Sequence, residues 1–215
     1  RVNEVELLED QFDTVLGVQA MIKDGIIDTL DQIFQHKYKW PFLAVQNTQV
    51  LTAGDQEYDW PADFLSVDWR SFRIVKDEIL GVRNKHLKPI EREEWYSRYR
   101  DDDYDAVDGR NTPSFVFSNH GLGWGLTPNP NQAYTVDYKY FKNPVRPAAA
   151  TDVIVLPKEY EYLLMHGGLM WAYIFYDNNE RSSLSEKRRD DGISDMVNTL
   201  LGNNLEHTYD GRVNI

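Results

Sequence analysis

The hydrophobic pattern of this chain changes its period twice, and that change constrains the fold more than any other feature. Near both ends apolar residues recur at steps of three and four, which is the spacing of one face of an α-helix. Between the ends, from Phe42 to about Thr151, short β-rich runs alternate with proline and other turn residues. The sequence therefore predicts helical segments on either side of a β-rich region.

The first helical segment is predicted from Leu16 to Trp40, and Pro41 ends it because proline lacks the amide hydrogen that a helix needs. After Pro157 a second helix is predicted. It is apolar on almost every side, which indicates burial on several sides. A third helix is expected to end at Gly202-Asn203 as its C-terminal cap. The second helix carries Tyr160, Leu163, Leu164, Gly167, Met170, Trp171 and Ile174 on one stripe and Met165, Leu169, Ala172, Tyr173 and Tyr176 elsewhere; the third carries Ile193, Met196, Val197, Leu200 and Leu201.

The middle region contains five runs that are predicted to be antiparallel strands. A short helix from Glu91 to Arg100 interrupts them. The glycine cluster from Gly121 to Gly125 lacks the Gly-Lys-Ser/Thr ending of a phosphate loop and does not lead into a helix, so it is predicted to form a turn between strands. The five runs are Asn47–Leu51, Val67–Val75, Ile79–Arg83, Ser114–Phe117 and Tyr134–Tyr140.

These elements predict an α+β protein. The N- and C-terminal helices would form a helical bundle, with an inserted antiparallel β-sandwich or barrel-like region and an extended C-terminal tail. The two helical parts are expected to pack together, because each offers apolar stripes that need a partner. Residues 204–215 are read as having no periodicity and as forming an extended tail. The predicted division is 1–41 for the N-terminal helical part, 42–156 for the β-rich domain, 157–203 for the C-terminal helical part and 204–215 for the tail.

Composition excludes several classes of protein. The chain has 215 residues, no cysteine and a net charge of −12. Without cysteine there is no disulfide scaffold, no thiolate-bound zinc and no thiol catalysis. The negative charge argues against sequence-specific DNA binding. The N-terminus is acidic where a secretory signal is basic, and the longest uncharged stretch falls short of the roughly 20 residues of a membrane span. We therefore expect synthesis inside the cell and no membrane partner.

The sequence carries no motif for catalysis, a metal or a cofactor. The five histidines include no pair at the i, i+4 spacing of a helical metal site. His166 lies in an apolar helix and is predicted to be a hydrogen-bonded core residue. The sequence thus predicts neither an enzyme nor a cofactor. One alternative is a carbohydrate-binding or glycoside-cleaving module whose tryptophans stack on sugars instead of filling a core. Those in or beside the β-rich region are Trp40, Trp60, Trp69, Trp95 and Trp124.

A series of short motifs carries a family resemblance. In their order and spacing, from about Leu16 to Leu201, they resemble the head-to-tail adaptor proteins of tailed bacteriophages, including the tail tubular or gatekeeper type of short-tailed phages. The motifs are Trp40-Pro41-Phe42, Thr52-Ala53-Gly54, Tyr58-Asp59-Trp60-Pro61-Ala62-Asp63-Phe64, Lys88-Pro89-Ile90, Glu94-Trp95, Thr112-Pro113-Ser114-Phe115-Val116-Phe117, Leu126-Thr127-Pro128-Asn129-Pro130, Tyr138-Lys139-Tyr140 with Pro144, and Leu156-Pro157-Lys158-Glu159-Tyr160.

The resemblance implies a structural virion protein without catalysis. It implies a ring, usually of twelve copies, between the portal protein and the next tail or nozzle protein. The ring would lie in the neck of the virion, after assembly in the host cytoplasm, and would extend the channel through which genomic double-stranded DNA passes without sequence-specific binding. The net charge fits this expectation, because a negative lumen repels phosphates.

Residues 204–215 form the candidate docking segment. An unpatterned tail suits a segment that becomes ordered only against a partner, and its side chains offer aromatic, cationic and apolar contacts. We expect removal of this segment to weaken docking on the portal. The alternative is a frayed terminus that contacts nothing. The candidate docking residues are His207, Tyr209, Arg212 and Ile215.

Overall fold

A computed structural model describes residues 17–35, 39–79, 81–101, 109–148 and 152–205. The chain divides into a β unit, residues 44–143, and a helical unit formed by the segments on either side. The α+β class is confirmed. The elements in chain order are α1 (Val18–Ile33), β1 (Ala44–Val50), β2 (Glu57–Asp59), β3 (Phe64–Ile74), β4 (Lys85–His86), β5 (Lys88–Pro89), α2 (Arg92–Arg98), β6 (Phe115–Asn119), β7 (Gly123–Thr127), β8 (Thr135–Lys142), α3 (Glu161–Phe175) and α4 (Asn179–Leu205), with short 3₁₀ turns at Pro41–Leu43 and Lys158–Tyr160.

Helix α1 ends at Ile33, short of the predicted Trp40. The indole Nε1 of Trp40 donates a hydrogen bond to the backbone oxygen of Ile33 at 2.7 Å, so a side chain from beyond the helix satisfies a carbonyl group at its end. Trp40 is fully buried. The apolar stripe therefore extends beyond the end of the helix. Phe34 and Trp40 still pack with the helical core although the backbone there is no longer α-helical. Leu16 and Tyr38 lie outside the described residues.

The helical unit closes around residues from both sides of the insertion. Its core combines side chains of α1, α3 and α4 with those of the two 3₁₀ turns. Helix α4 continues to Leu205, so Gly202-Asn203 is not its cap, and Asn204 and Leu205 are helical. Nothing lies within 4 Å of the place where a Cβ would stand at Gly202. The buried core residues are Leu30, Ile33, Trp40, Leu43, Leu156, Tyr160, Leu163, Leu164 and Met196.

The described strands of the β unit form two four-stranded sheets, in the orders β1-β8-β3-β4 and β2-β7-β6-β5. Both sheets are open, so the barrel-like alternative is not observed. Most pairs are antiparallel as predicted, but β5 runs parallel to β6. Strand β3 departs from its regular register with β8 between Asp68 and Arg73. The short helix α2 confirms the one predicted from Glu91 to Arg100.

Two predictions within the β unit need correction. The described residues of the run from Ile79 to Arg83 do not form a strand: Asp77 pairs with Val82 in an isolated bridge, and Ile79 between them is 96% exposed. The glycine cluster is only partly a turn, because strand β7 already begins at Gly123 and every one of its residues is buried. A Cβ at Gly125 would overlap the ring of Phe117. Glycine therefore allows a close approach inside the sheet, where it was expected only to bend the chain.

The core of the β unit is largely aromatic. Phe72 and Tyr138 of one sheet stack with ring centroids 4.7 Å apart, and both contact Trp124 of the other sheet, at 5.0 Å and 5.5 Å. Trp60 stacks on Phe64 at 4.2 Å. Side chains of both sheets thus belong to one hydrophobic cluster.

Candidate functional site

The four predicted docking residues, His207, Tyr209, Arg212 and Ile215, lie outside the described residues. The structure therefore does not test their role. Among the described residues, the most conspicuous candidate contact surface lies at the turn between α3 and α4.

That turn is held by a regular set of backbone hydrogen bonds. The amide of Asn178 donates to the carbonyl of Tyr173 at 2.8 Å, and the amide of Asp177 donates to Ile174 at 3.0 Å. Asp177 has a φ of 54°, so it occupies the left-handed conformation that closes a helix in this pattern. The side chain of Asn178 then accepts a hydrogen bond from the amide of Arg181 at 3.2 Å, which caps the start of α4. The two helices are thus joined by a defined, tight turn.

Large apolar side chains are exposed to solvent at this turn and beside it. Phe175 and Tyr176 are each 49% exposed, and their rings meet edge to face at 5.3 Å. Ile174 and Leu184 are exposed to a similar degree. We call these four residues the hairpin patch. An apolar group of this kind on a rigid turn is typical of a protein contact surface.

The second predicted helix, α3, is buried on more than one side as predicted, but the hairpin patch shows that part of its apolar surface remains exposed. Met165 and Tyr162 are also exposed, in addition to Ile174 and Tyr176. Helices α1 and α4 both pack against α3, yet they leave part of its apolar surface uncovered. Hydropathy alone does not distinguish a side chain that is buried by its own chain from one that is left for a partner.

Arg189 fixes α4 in the helical unit. Its residue is only 5% exposed, and its guanidinium contacts Asp190 at 2.9 Å, Asp28 of α1 at 3.8 Å and the sulfur of Met170 on α3 at 3.6 Å. One side chain thus connects three helices. The hairpin patch is supported by a packed scaffold.

The outer face of the first sheet is polar. Asp137 of β8 accepts hydrogen bonds from Thr48 Oγ1 at 2.7 Å and Gln46 Nε2 at 3.1 Å, both on β1. It also pairs with Arg73 of β3 at 3.4 Å. This network joins three neighbouring strands and satisfies the carboxylate within the sheet. Its arrangement is that of a sheet surface whose neighbouring strands are linked by side-chain hydrogen bonds.

The tryptophans fill cores. Trp40, Trp95 and Trp124 are buried, and Trp40 belongs to the helical unit. Trp60 and Trp69 are partly buried and pack against the core of the β unit. A sugar platform requires exposed indole faces, so this arrangement does not support the carbohydrate alternative.

His166 differs from its predicted role as a hydrogen-bonded core residue. It is partly buried, and its Nδ1 has no hydrogen-bond partner among the described residues. Burial lowers its pKa, and the positive charge of Arg188 lowers it further. No group of three or more His, Asp or Glu that could hold a metal occurs in the described part of the chain. Over the same residues, no helix is both long enough and apolar enough to cross a membrane.

The sequence matches the profile of a family described as SU10 adaptor protein over residues 5–213. The chain belongs to the SU10 adaptor protein family. This is a family of phage head-tail adaptors, so the resemblance that the motifs predicted is confirmed. Membership of the SU10 adaptor family indicates a structural role in the virion neck, where an adaptor contacts portal and tail proteins. No curated protein sequence matches the chain significantly.

Within the SU10 adaptor family, a non-enzymatic role is the expected one. The hairpin patch is a feature that the sequence did not single out as a site. The signal that could have found it is the continuation of apolar residues through Ile174, Phe175 and Tyr176 to the very end of the helix, where a buried stripe normally gives way to polar residues.

Proposed function

We propose that this adaptor assembles into a closed ring of twelve copies between the portal and the tail. The ring extends the DNA channel and receives the next tail or nozzle protein. Family membership supports the head-tail adaptor role, while the ring, the copy number and the docking are our proposal. Assembly takes place in the host cytoplasm before the neck of the virion is complete.

The observation that carries the proposal is the hairpin patch. Phe175 and Tyr176 are held half-exposed on a turn whose backbone is fixed on both sides. Apolar surface of this kind is stabilised by removal from water. A neighbouring copy or the portal would supply the cover that α1 and α4 do not. Hydrogen bonds hold the backbone of the turn that carries these residues, so binding requires little further ordering of the backbone.

Charge supports the channel role. The chain has a net charge of −12, and twelve copies in a ring add their fields. A negative lumen repels the phosphates of double-stranded DNA, which favours passage over sticking. We therefore propose that genomic DNA passes through without sequence-specific binding.

We also propose that the end of the chain docks on a partner, through a segment shorter than 204–215. Asn204 and Leu205 belong to α4, so the segment available for docking is 206–215. His207, Tyr209, Arg212 and Ile215 are its proposed contact residues. A chain truncated after Leu205 keeps the whole helix and is expected to lose affinity for portal-bound assemblies.

The deciding experiment is negative-stain imaging of the adaptor mixed with portal rings from the same genome. We expect an added layer of density with twelve-fold symmetry on each portal. Portals without added density, beside free adaptor chains, would overturn the proposed function. A second measurement tests the channel: tight binding of duplex DNA at physiological salt would contradict a lumen that repels phosphates.

A further inference from the structure

Strand β1 leaves an unprotected edge on the first sheet. It pairs with β8 in unbroken register over seven residues, from Ala44 opposite Phe141 to Val50 opposite Thr135. Its sequence, Ala-Val-Gln-Asn-Thr-Gln-Val, contains no charge, no proline and no glycine. Among the described residues, no strand pairs with its other side.

The other three sheet edges have features that discourage the pairing of a further strand. Strand β4 has two residues, Lys85 and His86, and strand β2 has three, of which two are acidic. Strand β5 consists of Lys88 and Pro89. Short length, charge and proline all discourage the addition of another strand. The open edge at β1 is therefore a local exception in a protein that otherwise protects its edges.

The backbone amide and carbonyl groups of β1 that point away from β8 belong to alternate residues. The amide of Leu51 donates to the carbonyl of Tyr134 at 2.7 Å, which continues the ladder with β8. Because alternate residues of an antiparallel strand bond to the same neighbour, the odd-numbered residues face β8. The outward groups are those of Ala44, Gln46, Thr48 and Val50. Gln49 Nε2 reaches the carbonyl of Val50 at 3.1 Å, which is a single side-chain contact along this edge.

The two faces beside the edge differ in polarity. On the outer face, Gln46 and Thr48 donate hydrogen bonds to Asp137, so these polar side chains are held against the sheet. On the inner face, Val45 is partly buried and packs against the aromatic core. An added strand would therefore place polar side chains on the outer face and apolar ones next to Val45.

The segment that follows α4 has this pattern. Residues 208, 210, 212 and 214 are Thr, Asp, Arg and Asn, whereas Tyr209, Val213 and Ile215 share the opposite face with Gly211. Strict alternation over this length is typical of a half-buried strand. This alternation corrects the expectation that the tail has no periodicity. It continues back through Glu206 to Leu205, which belongs to α4. The segment 207–215 carries one acidic and one basic residue, so it meets the uncharged edge without repulsion even though the whole chain is strongly negative.

We propose that residues 207–215 of one copy add as a strand to the β1 edge of a second copy. The inference rests on the proposed ring, and it names the contact that propagates it. Segment and edge are different surfaces of the same chain, so their pairing is head-to-tail and repeats around a closed ring. The segment then strengthens attachment to the portal indirectly, because linked copies bind as one multivalent body.

Cysteine cross-linking tests the pairing cleanly, because the natural chain has no cysteine. One copy carries Thr48→Cys and a size tag. The other carries a single cysteine at one position from 208 to 214. Across a strand pair, Cα atoms about 5.5 Å apart suit a disulfide. We mix the two copies with portal rings, oxidise them, and measure the tagged heterodimer.

The expected result is a parity pattern. Thr48 lies on the outer face, so cross-links should form with an even-numbered position such as Asp210→Cys or Arg212→Cys, and be at least tenfold weaker at Tyr209→Cys and Val213→Cys. Cross-links between two Thr48→Cys copies alone would show that β1 edges pair with each other and would overturn the proposed occupant. Cross-links within one chain carrying both cysteines, and none between chains, would overturn the second copy as the source.

A matched pair of edge variants gives an independent readout. Thr48→Pro removes the outward amide and blocks strand addition, whereas Thr48→Val keeps that amide; both lose the hydroxyl bond to Asp137. Circular dichroism first establishes that each variant is folded. We expect Thr48→Val to form the added layer on portals and Thr48→Pro to lose it. Equal layers from both variants would overturn the inference.

Failure of this inference and failure of the proposed function are distinguishable. An added layer on the portal without any cross-link to 207–215 would overturn strand addition and leave the adaptor ring intact. Cross-links with the parity pattern but no layer on the portal would support strand addition and contradict the proposed ring.

Discussion

Gly25 of α1 and Gly167 of α3 meet where the two helices cross. A Cβ at Gly25 would come within 2.6 Å of the backbone oxygen of Gly167 and within 2.5 Å of Trp171 Cδ1. A Cβ at Gly167 would overlap the hydroxyl of Thr29, which itself donates to the carbonyl of Gly25 at 2.8 Å. The two backbones are therefore in contact, and no other residue type fits either position without separating the helices.

Gly25→Ala is expected to destabilise the helical unit by about 1–3 kcal/mol, because the new methyl group meets backbone that has no room to move. This cost outweighs the gain in helix propensity, which is at most about 1 kcal/mol. Urea denaturation followed by circular dichroism at 222 nm measures the change in the free energy of unfolding.

Gly202→Ala is the matched control, since it places the same methyl group in open space on α4. It is expected to leave stability unchanged or to raise it by up to about 1 kcal/mol. If the two variants changed the free energy of unfolding equally, the close contact between α1 and α3 would not explain why residue 25 is glycine.

Arg189→Ala is expected to destabilise the helical unit by about 1–3 kcal/mol. The variant removes the ion pairs to Asp28 and Asp190 and leaves a space beside Met170. The cost stays below that of a fully buried pair, because both aspartates remain in contact with water. Arg188→Ala, one position away on an exposed side chain, is expected to change stability by less than about 0.5 kcal/mol. Equal losses in thermal denaturation would contradict a special role for Arg189.

The β unit is expected to lose stability as the pH rises from about 10 to about 12. Burial raises the pKa of Tyr140 to about 12, and the hydrogen bond to Asp63 at 2.9 Å adds to the shift. The folded state therefore favours the protonated phenol. Its contribution is complete below the unfolded pKa near 10 and is lost as the pH passes through the folded value. Burial also raises the pKa of Tyr58 and Tyr138.

Tyr140→Phe isolates this effect. At pH 7 we expect a loss of about 1 kcal/mol, from the missing hydrogen bond. Between pH 10 and pH 12 we expect a shallower fall in stability than in the natural chain. Tyr96→Phe is the matched control, because it removes one phenol hydroxyl at an exposed position. Parallel curves for the Tyr140 variant and the natural chain would show that Tyr140 does not control alkaline unfolding.

Replacement of Phe175 and Tyr176 by serine should impair assembly and spare the fold. Both side chains are half in water, so their removal changes the stability of the isolated chain by about 1 kcal/mol or less. Binding to portal rings is expected to weaken by at least tenfold, measured by co-sedimentation. Ile79→Ser is the control, because Ile79 is an exposed apolar residue of the β unit outside the hairpin patch. Unchanged co-sedimentation of the double variant would remove the hairpin patch from the proposed function.

Local periodicity predicts the helices of this chain better than it predicts their ends. The stripe through Leu30 and Ile33 correctly indicates α1, but the helix stops where the indole of Trp40 returns to bind Ile33. That contact depends on tertiary packing and leaves no trace in a window of sequence. Gly202 and Asn203 resemble a helix cap, yet α4 continues through them to Leu205.

The β unit shows the same limit for a different reason. Strand β7 was hidden because its glycines suggest a turn, although Gly123 and Gly125 serve close packing inside a sheet. Strands β4 and β5 have two residues each, too few to show any period. The candidate contact surfaces are more difficult to predict from sequence than the strands, because an apolar side chain has the same hydropathy whether its own chain or another molecule covers it.

The insertion of the β unit between α1 and α3 sets the order in which a growing chain can be completed. Roughly 140 residues separate Gly25 from Gly167, which at 5–20 residues per second takes the ribosome on the order of ten seconds. During that time all strands of the β unit emerge, while α1 still lacks the helix it crosses. The helical unit closes after the β unit, and the turn carrying Phe175 and Tyr176 is made after every strand. Chains that stop before Leu184 therefore lack the complete hairpin patch, and the order of synthesis alone would keep them out of a growing neck.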